Sequence, residues 1–198
     1  MGNILQEWVS QDYLTSSALR DIAKAYQQQQ FPIIQLQQFL QELPFFKLQD
    51  DLECSARISQ AVLDQYKYDK IAGGVMMSRF LNVLHSVAFQ EFISSIVVKP
   101  VSWKSIDVLS FSQGQYTLLY DGLHQKQGVY GIFDLTTLLE EAGGYTVITT
   151  GQEELARVIP IENTLTIFTL PKQARYFFKY VNHHAKSTRR ILVMARFW

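Results

Sequence analysis

The sequence predicts an α+β chain, with helices in roughly its first hundred residues and a sandwich or jelly roll of about eight short strands after them. Three observations carry this. The apolar spacing is helical as far as Pro100 and changes after Asp107 to a short, strand-like alternation. Segments rich in Val, Ile, Thr, Phe and Tyr then recur at 106–111, 115–121, 128–134, 144–150, 156–159, 163–170, 174–182 and 190–197, separated by turn residues. Finally, 198 residues with 47% hydrophobic and 18% charged side chains have the composition of a chain that builds its own core.

The elements follow in order. In TSSALRDIAKAYQQQQ, Leu19, Ile22, Ala23 and Tyr26 form one apolar stripe, with Ser16 or Ser17 as the N-cap. Phe31-Pro32 ends this helix, because proline disfavours helical geometry in the residue before it. FPIIQLQQFLQ reads as a short strand running into a helical turn, and Leu52 to Tyr66 as an amphipathic helix. After the break at Gly73-Gly74, the apolar spacing of Met77, Phe80, Leu84, Val87 and Phe92 or Ile93 predicts one long helix ending before Pro100. Residues 1–30 are thus expected to be an N-terminal helical extension to a domain spanning 31–198.

Other features bound the function. The single cysteine, Cys54, excludes an internal disulfide or a cysteine-based metal cage, and is expected to be a buried or half-buried apolar residue. The N-terminus has no basic leader and long apolar run, Gln6 stands where a myristoylation signal wants Ser or Thr, and no stretch of eighteen apolar residues occurs. A cytoplasmic protein without a membrane span is the expectation. The net charge is zero, yet after Glu162 there is no acidic residue, while Lys172, Arg175, Lys179, Lys186, Arg189, Arg190 and Arg196 all follow. Such a basic end points either to an anionic partner or to a solvated face balanced by the acidic remainder. Aromatic residues interleave these cations, but their spacing matches no RNA-binding module, so nucleic acid is not the expected partner.

Read in order, the strands carry recognisable pieces: YTLLYDG (116–122), IFDLTTLLEEAGGYTVIT (132–149), IPIENTLTIF (159–168), YFFKYV and RRILVMARFW. With FPIIQLQQFL and VLHSVAFQEFIS upstream, this succession resembles the 2-oxoglutarate/Fe(II) oxygenases, in the prolyl-hydroxylase branch that includes the ribosomal-protein prolyl hydroxylases. The likeness spans about residues 30–198 and rests on the order of several weak motifs. It implies a double-stranded β-helix (jelly-roll) core with supporting helices, Fe(II) held by two histidines and a carboxylate, and 2-oxoglutarate held by an arginine.

At the implied iron positions the sequence departs from that pattern. The ligand-equivalent residues are Tyr120, Gly122 and Tyr176. The resemblance assigns Arg190 to the far carboxylate of 2-oxoglutarate, with Phe197 at the matching distance, and Tyr116 to the lining of the same pocket. Asp121, His124, His183 and His184 are the remaining residues from which a metal site could be rebuilt. Adjacent histidines on a strand would face opposite ways, and a polar turn is the plainer reading of His183-His184. Asp134 and Glu140-Glu141 could do acid–base work, but read better as solvated loop faces. Of Arg189 and Arg190, one should point inward and one outward.

Two functional expectations result. One is a non-catalytic relative that has lost the iron triad and binds a protein, a peptide or a small anion such as 2-oxoglutarate. The other is an active dioxygenase, using Fe(II) and 2-oxoglutarate to hydroxylate a protein residue through a different ligand set. On either, Tyr120 and Tyr176 should point into the same barrel mouth as Arg190.

Overall fold

The computed structural model describes residues 4–118 and 127–198. In chain order the elements are helices α1 (Ile4–Trp8) and α2 (Ser16–Gln28), strand β1 (Ile33–Leu36), helix α3 (Glu42–Glu53), strands β2 (Ala56–Val62) and β3 (Tyr66–Ala72), and helices α4 (Val75–His85) and α5 (Val87–Val97). The strands β4 (Trp103–Phe111), β5 (Tyr116–Thr117), β6 (Gly128–Asp134), β7 (Thr146–Thr150), β8 (Glu153–Val158), β9 (Thr164–Leu170), β10 (Ala174–Phe178) and β11 (Arg190–Phe197) follow. The major sheet runs β1-β9-β6-β11-β4-β3-β2, with β5 paired to β3, and the minor sheet runs β10-β7-β8. Among the described residues the strand ladders are all antiparallel, so the expected α+β jelly roll is the fold observed.

Strand alternation divides the interior into two cores. On β11, Ile191, Val193, Ala195 and Phe197 pack with Phe80, Phe89 and Ile93 of the helices. Leu192 and Met194 face the other way, toward Ile148, Tyr176 and Phe178 of the minor sheet. β6 and β9 divide likewise, with Phe133 and Ile167 toward the helices and Ile132 and Phe168 toward the minor sheet. Residues 4–28 share the helix-side core through Leu5, Trp8, Val9 and Tyr26, and the Tyr26 hydroxyl is hydrogen-bonded to Thr169 Oγ1 at 2.7 Å.

Four local expectations are corrected. Leu52 to Tyr66 is no helix: α3 ends at Glu53, and β2 begins an antiparallel hairpin with β3. β2 is the last strand of the sheet, and most of its residues are exposed on both faces, so burial imposes no period of two on its sequence. The turn depends on Asp64 at φ +59°, a left-handed conformation that aspartate tolerates. The single helix predicted after Gly74 is two helices bent by 55°. Ser86, at ψ 150°, leaves helical geometry there; its Oγ accepts from Phe89 N–H at 3.2 Å and donates to the Val83 carbonyl at 2.6 Å. The N-cap of α2 is Thr15, whose Oγ1 accepts from Ala18 N–H, in place of Ser16 or Ser17. Cys54 is exposed at the end of α3. Among the described residues, no single helix is long and apolar enough to cross a membrane.

Candidate functional site

β6 and β11 lie side by side with Leu192 opposite Asp134. Arg190, two residues before Leu192 and on the same face, reaches Asp134 diagonally across the ladder. Its Nε donates to Asp134 Oδ1 at 2.7 Å and its Nη2 to Oδ2 at 3.1 Å, the bidentate fork that guanidinium and carboxylate favour. Nη1 donates to the Gly144 carbonyl and to Thr146 Oγ1, both at 2.8 Å. Four of the five guanidinium N–H groups are thereby used inside the protein. Both side chains are shut off from solvent, at 0% and 1% exposure. Burial pushes the Asp134 carboxyl above its usual range, and the Arg190 charge pulls it back.

The local chain holds this pair in place. Gly143 and Gly144 both lie at positive φ, and a Cβ on Gly143 would overlap the Tyr180 carbonyl. That corner aims the Gly144 carbonyl at Arg190. On the other side, Thr136 Oγ1 donates to the Arg189 carbonyl and accepts from Ile191 N–H, each at 2.8 Å, which clamps the start of β11 to the end of β6. The Phe178 ring lies 5.2 Å from the Arg190 guanidinium carbon, close enough for a cation–π contact.

The sequence-derived residues separate into those that meet here and those that do not. Arg190 points inward, while Arg189 is only partly buried. Tyr176 is buried on the same interior, with Phe178 as its ring neighbour at 6.0 Å, and its hydroxyl donates to Met194 Sδ at 3.1 Å. Tyr116 is not brought to Arg190's group: it alternates with the buried Thr117 and packs its ring against the exposed Tyr180 at 6.2 Å. His183 and His184 sit in an exposed 3-10 turn with their rings 4.1 Å apart and tilted by 36°, so the polar-turn reading is the observed one. Tyr120, Asp121, Gly122 and His124 lie outside the described residues.

Glu140 and Glu141 occupy a short exposed 3-10 turn, where Glu140 pairs with Arg157. Asp134, grouped with them from sequence, is instead fully buried and paired with Arg190, a partnership that sequence did not reveal. The available signal was a lone acid ending the apolar run VYGIFD, since a buried carboxylate requires a partner.

An iron site of the implied kind does not fit the described residues. No group of three or more His, Cys, Asp or Glu among them could hold a metal ion. The one described ligand-equivalent side chain, Tyr176, offers a phenol within an aromatic cluster rather than an imidazole. Nor does Arg190 present an open fork to a dicarboxylate, because Asp134 already fills it.

The sequence matches no protein-family model and no curated protein. Solved structures do match. A 2OG-Fe(II) oxygenase family oxidoreductase from Burkholderia pseudomallei aligns at 9% identity and TM-score 0.64, over 92% of each chain. A Trichoplax adhaerens prolyl hydroxylase, in complex with a hypoxia-inducible-factor peptide fragment, aligns at 11% identity and TM-score 0.63, over 94% of this chain and 95% of that one. A Pseudomonas putida prolyl-4-hydroxylase aligns at 12% identity and TM-score 0.60, over 90% and 97%. At these identities the likeness is one of fold: the chain has the architecture of the 2-oxoglutarate/Fe(II) oxygenases, prolyl hydroxylases included.

Proposed function

We propose that this chain is a non-catalytic protein on the 2-oxoglutarate/Fe(II) oxygenase fold, one that binds a protein or a small anion instead of activating dioxygen. The observation that carries the reading is the Asp134–Arg190 pair. On this reading Arg190 is the counterpart of the cosubstrate arginine, and the chain supplies its own carboxylate to the guanidinium. A dicarboxylate seeking the same fork would have to displace a buried, hydrogen-bonded anion, which is costly even before the ligand's own desolvation. The aromatic setting of Tyr176 supports the same reading, because it leaves no imidazole at that position. A fold by itself assigns no activity, and this one serves both chemistry and binding only through the residues it presents.

The test is calorimetric titration of the full chain with Mn(II) and with 2-oxoglutarate, separately and together. Neither should bind stoichiometrically. Stoichiometric metal uptake that disappears in Asp121→Ala or His184→Ala would overturn the reading in favour of an active dioxygenase with a different ligand set.

A further inference from the structure

At the opposite end of β11 from Arg190, a second inward-facing arginine borders a cavity. The row across the sheet there is Ser105 of β4, Arg196 of β11 and Tyr130 of β6, directly opposite one another in register. These residues, with Lys104, Gln127 and Trp198, line a cavity of about 270 Å³. From these groups we infer that the cavity is a binding site for a small organic carboxylate with a flat, apolar body, which gives a chemical class to the small anion of the proposed function and rests on that reading.

The polar groups are arranged for an anion. Asp107 takes Lys70 at 3.0 Å and lies 4.0 Å from Arg196, so one carboxylate answers two cations. Lys104 adds a third: its Nζ lies 5.0 Å from the centroid of the Trp198 ring, and among the described residues no ion pair engages it. Ser105 Oγ is closed off from solvent and has no hydrogen-bond partner. An orphaned buried hydroxyl calls for an explanation, and a ligand oxygen held between Ser105 and Arg196 supplies one. Arg196 keeps 27% of its side chain accessible, unlike the enclosed Arg190, so its fork is reachable.

The walls select the rest of the ligand. Trp198, 45% exposed, presents a flat apolar face beside the cations, and Tyr130 borders the same cavity. The volume lies just below the ~300–1,000 Å³ common for small-molecule sites, which suits a single ring with one carboxylate. A carboxylate matches the guanidinium bidentately, and a second lone pair on one of its two oxygens can accept from the serine hydroxyl.

The experiment is calorimetric titration of the full chain with benzoate in chelator-treated buffer, with inorganic phosphate as the comparison. Saturable benzoate binding is expected, weakened about tenfold or more in both Arg196→Gln and Lys104→Gln, as loss of a charge-assisted contact implies. Ser105→Ala should weaken it less, and Lys47→Gln, exposed on α3 in the helix layer, should leave it unchanged. Absence of saturable binding, binding as tight in the two cation variants as in the wild type, or tighter binding of phosphate would overturn the inference. Because no metal is present, a positive Mn(II)/2-oxoglutarate titration would count against the non-catalytic reading while the benzoate result still judged this site.

Discussion

Asp134 and Arg190 meet through two parallel hydrogen bonds across β6 and β11, 56 residues apart in the chain and sealed from solvent. Breaking such a pair leaves a buried charge without compensation, whereas replacing both partners removes the problem. Asp134→Ala should therefore cost about 3–5 kcal/mol in urea unfolding. The double variant Asp134→Leu/Arg190→Met should recover most of that loss. A single variant as stable as the wild type would show that the pair has no structural role.

Gly143 sets the corner that delivers the Gly144 carbonyl to Arg190. Its positive φ and the adjoining Tyr180 carbonyl leave no room for a Cβ. Gly143→Ala is expected to destabilise by more than about 2 kcal/mol, since backbone strain and steric overlap act together. Gly151 also lies at positive φ, but nothing would touch its Cβ. Thermal unfolding of Gly143→Ala and Gly151→Ala side by side separates the two effects, and Gly151→Ala should be the milder.

Ser86 turns the chain between α4 and α5 and caps the second helix. Ser86→Ala should lose about 1 kcal/mol, the usual value of an N-cap hydroxyl, and Ser86→Asp should retain most of it. Equal denaturation midpoints for Ala and Asp would mean that the cap contributes nothing.

Tyr26 ties α2 to β9 through Thr169. Burial raises its phenol above the ordinary range, with the Thr169 bond opposing. The folded state therefore keeps this proton where the unfolded chain gives it up. Tyr26's contribution is complete below about pH 10 and is lost as pH rises through the folded value. Tyr26→Phe should cost about 1 kcal/mol at neutral pH and flatten part of the alkaline loss of stability. An unchanged alkaline slope would assign that loss to other groups.

What the sequence determined by itself was local. The strand segments around 128–134, 163–170 and 190–197 were legible because burial on both faces writes near-continuous runs of apolar and β-branched residues bounded by turns, and the Gly143-Gly144 corner because only glycine tolerates its backbone. Alternation required one of Arg189 and Arg190 to face inward and the resemblance pointed to Arg190, while the absence of histidine at position 176 needed only the residue's name. Where burial imposes no pattern, as on exposed β2, or where one serine interrupts an otherwise helical period, as at Ser86, spacing alone misassigned the element. The tertiary structure alone decided the meaning of Arg190 and Arg196. Whether an inward cation meets its own chain's carboxylate, as Arg190 does, or borders a cavity, as Arg196 does, depends on the register between distant strands. Nothing in the residues on either side of an arginine carries that information, because a charge is satisfied by whatever the fold brings within hydrogen-bonding distance.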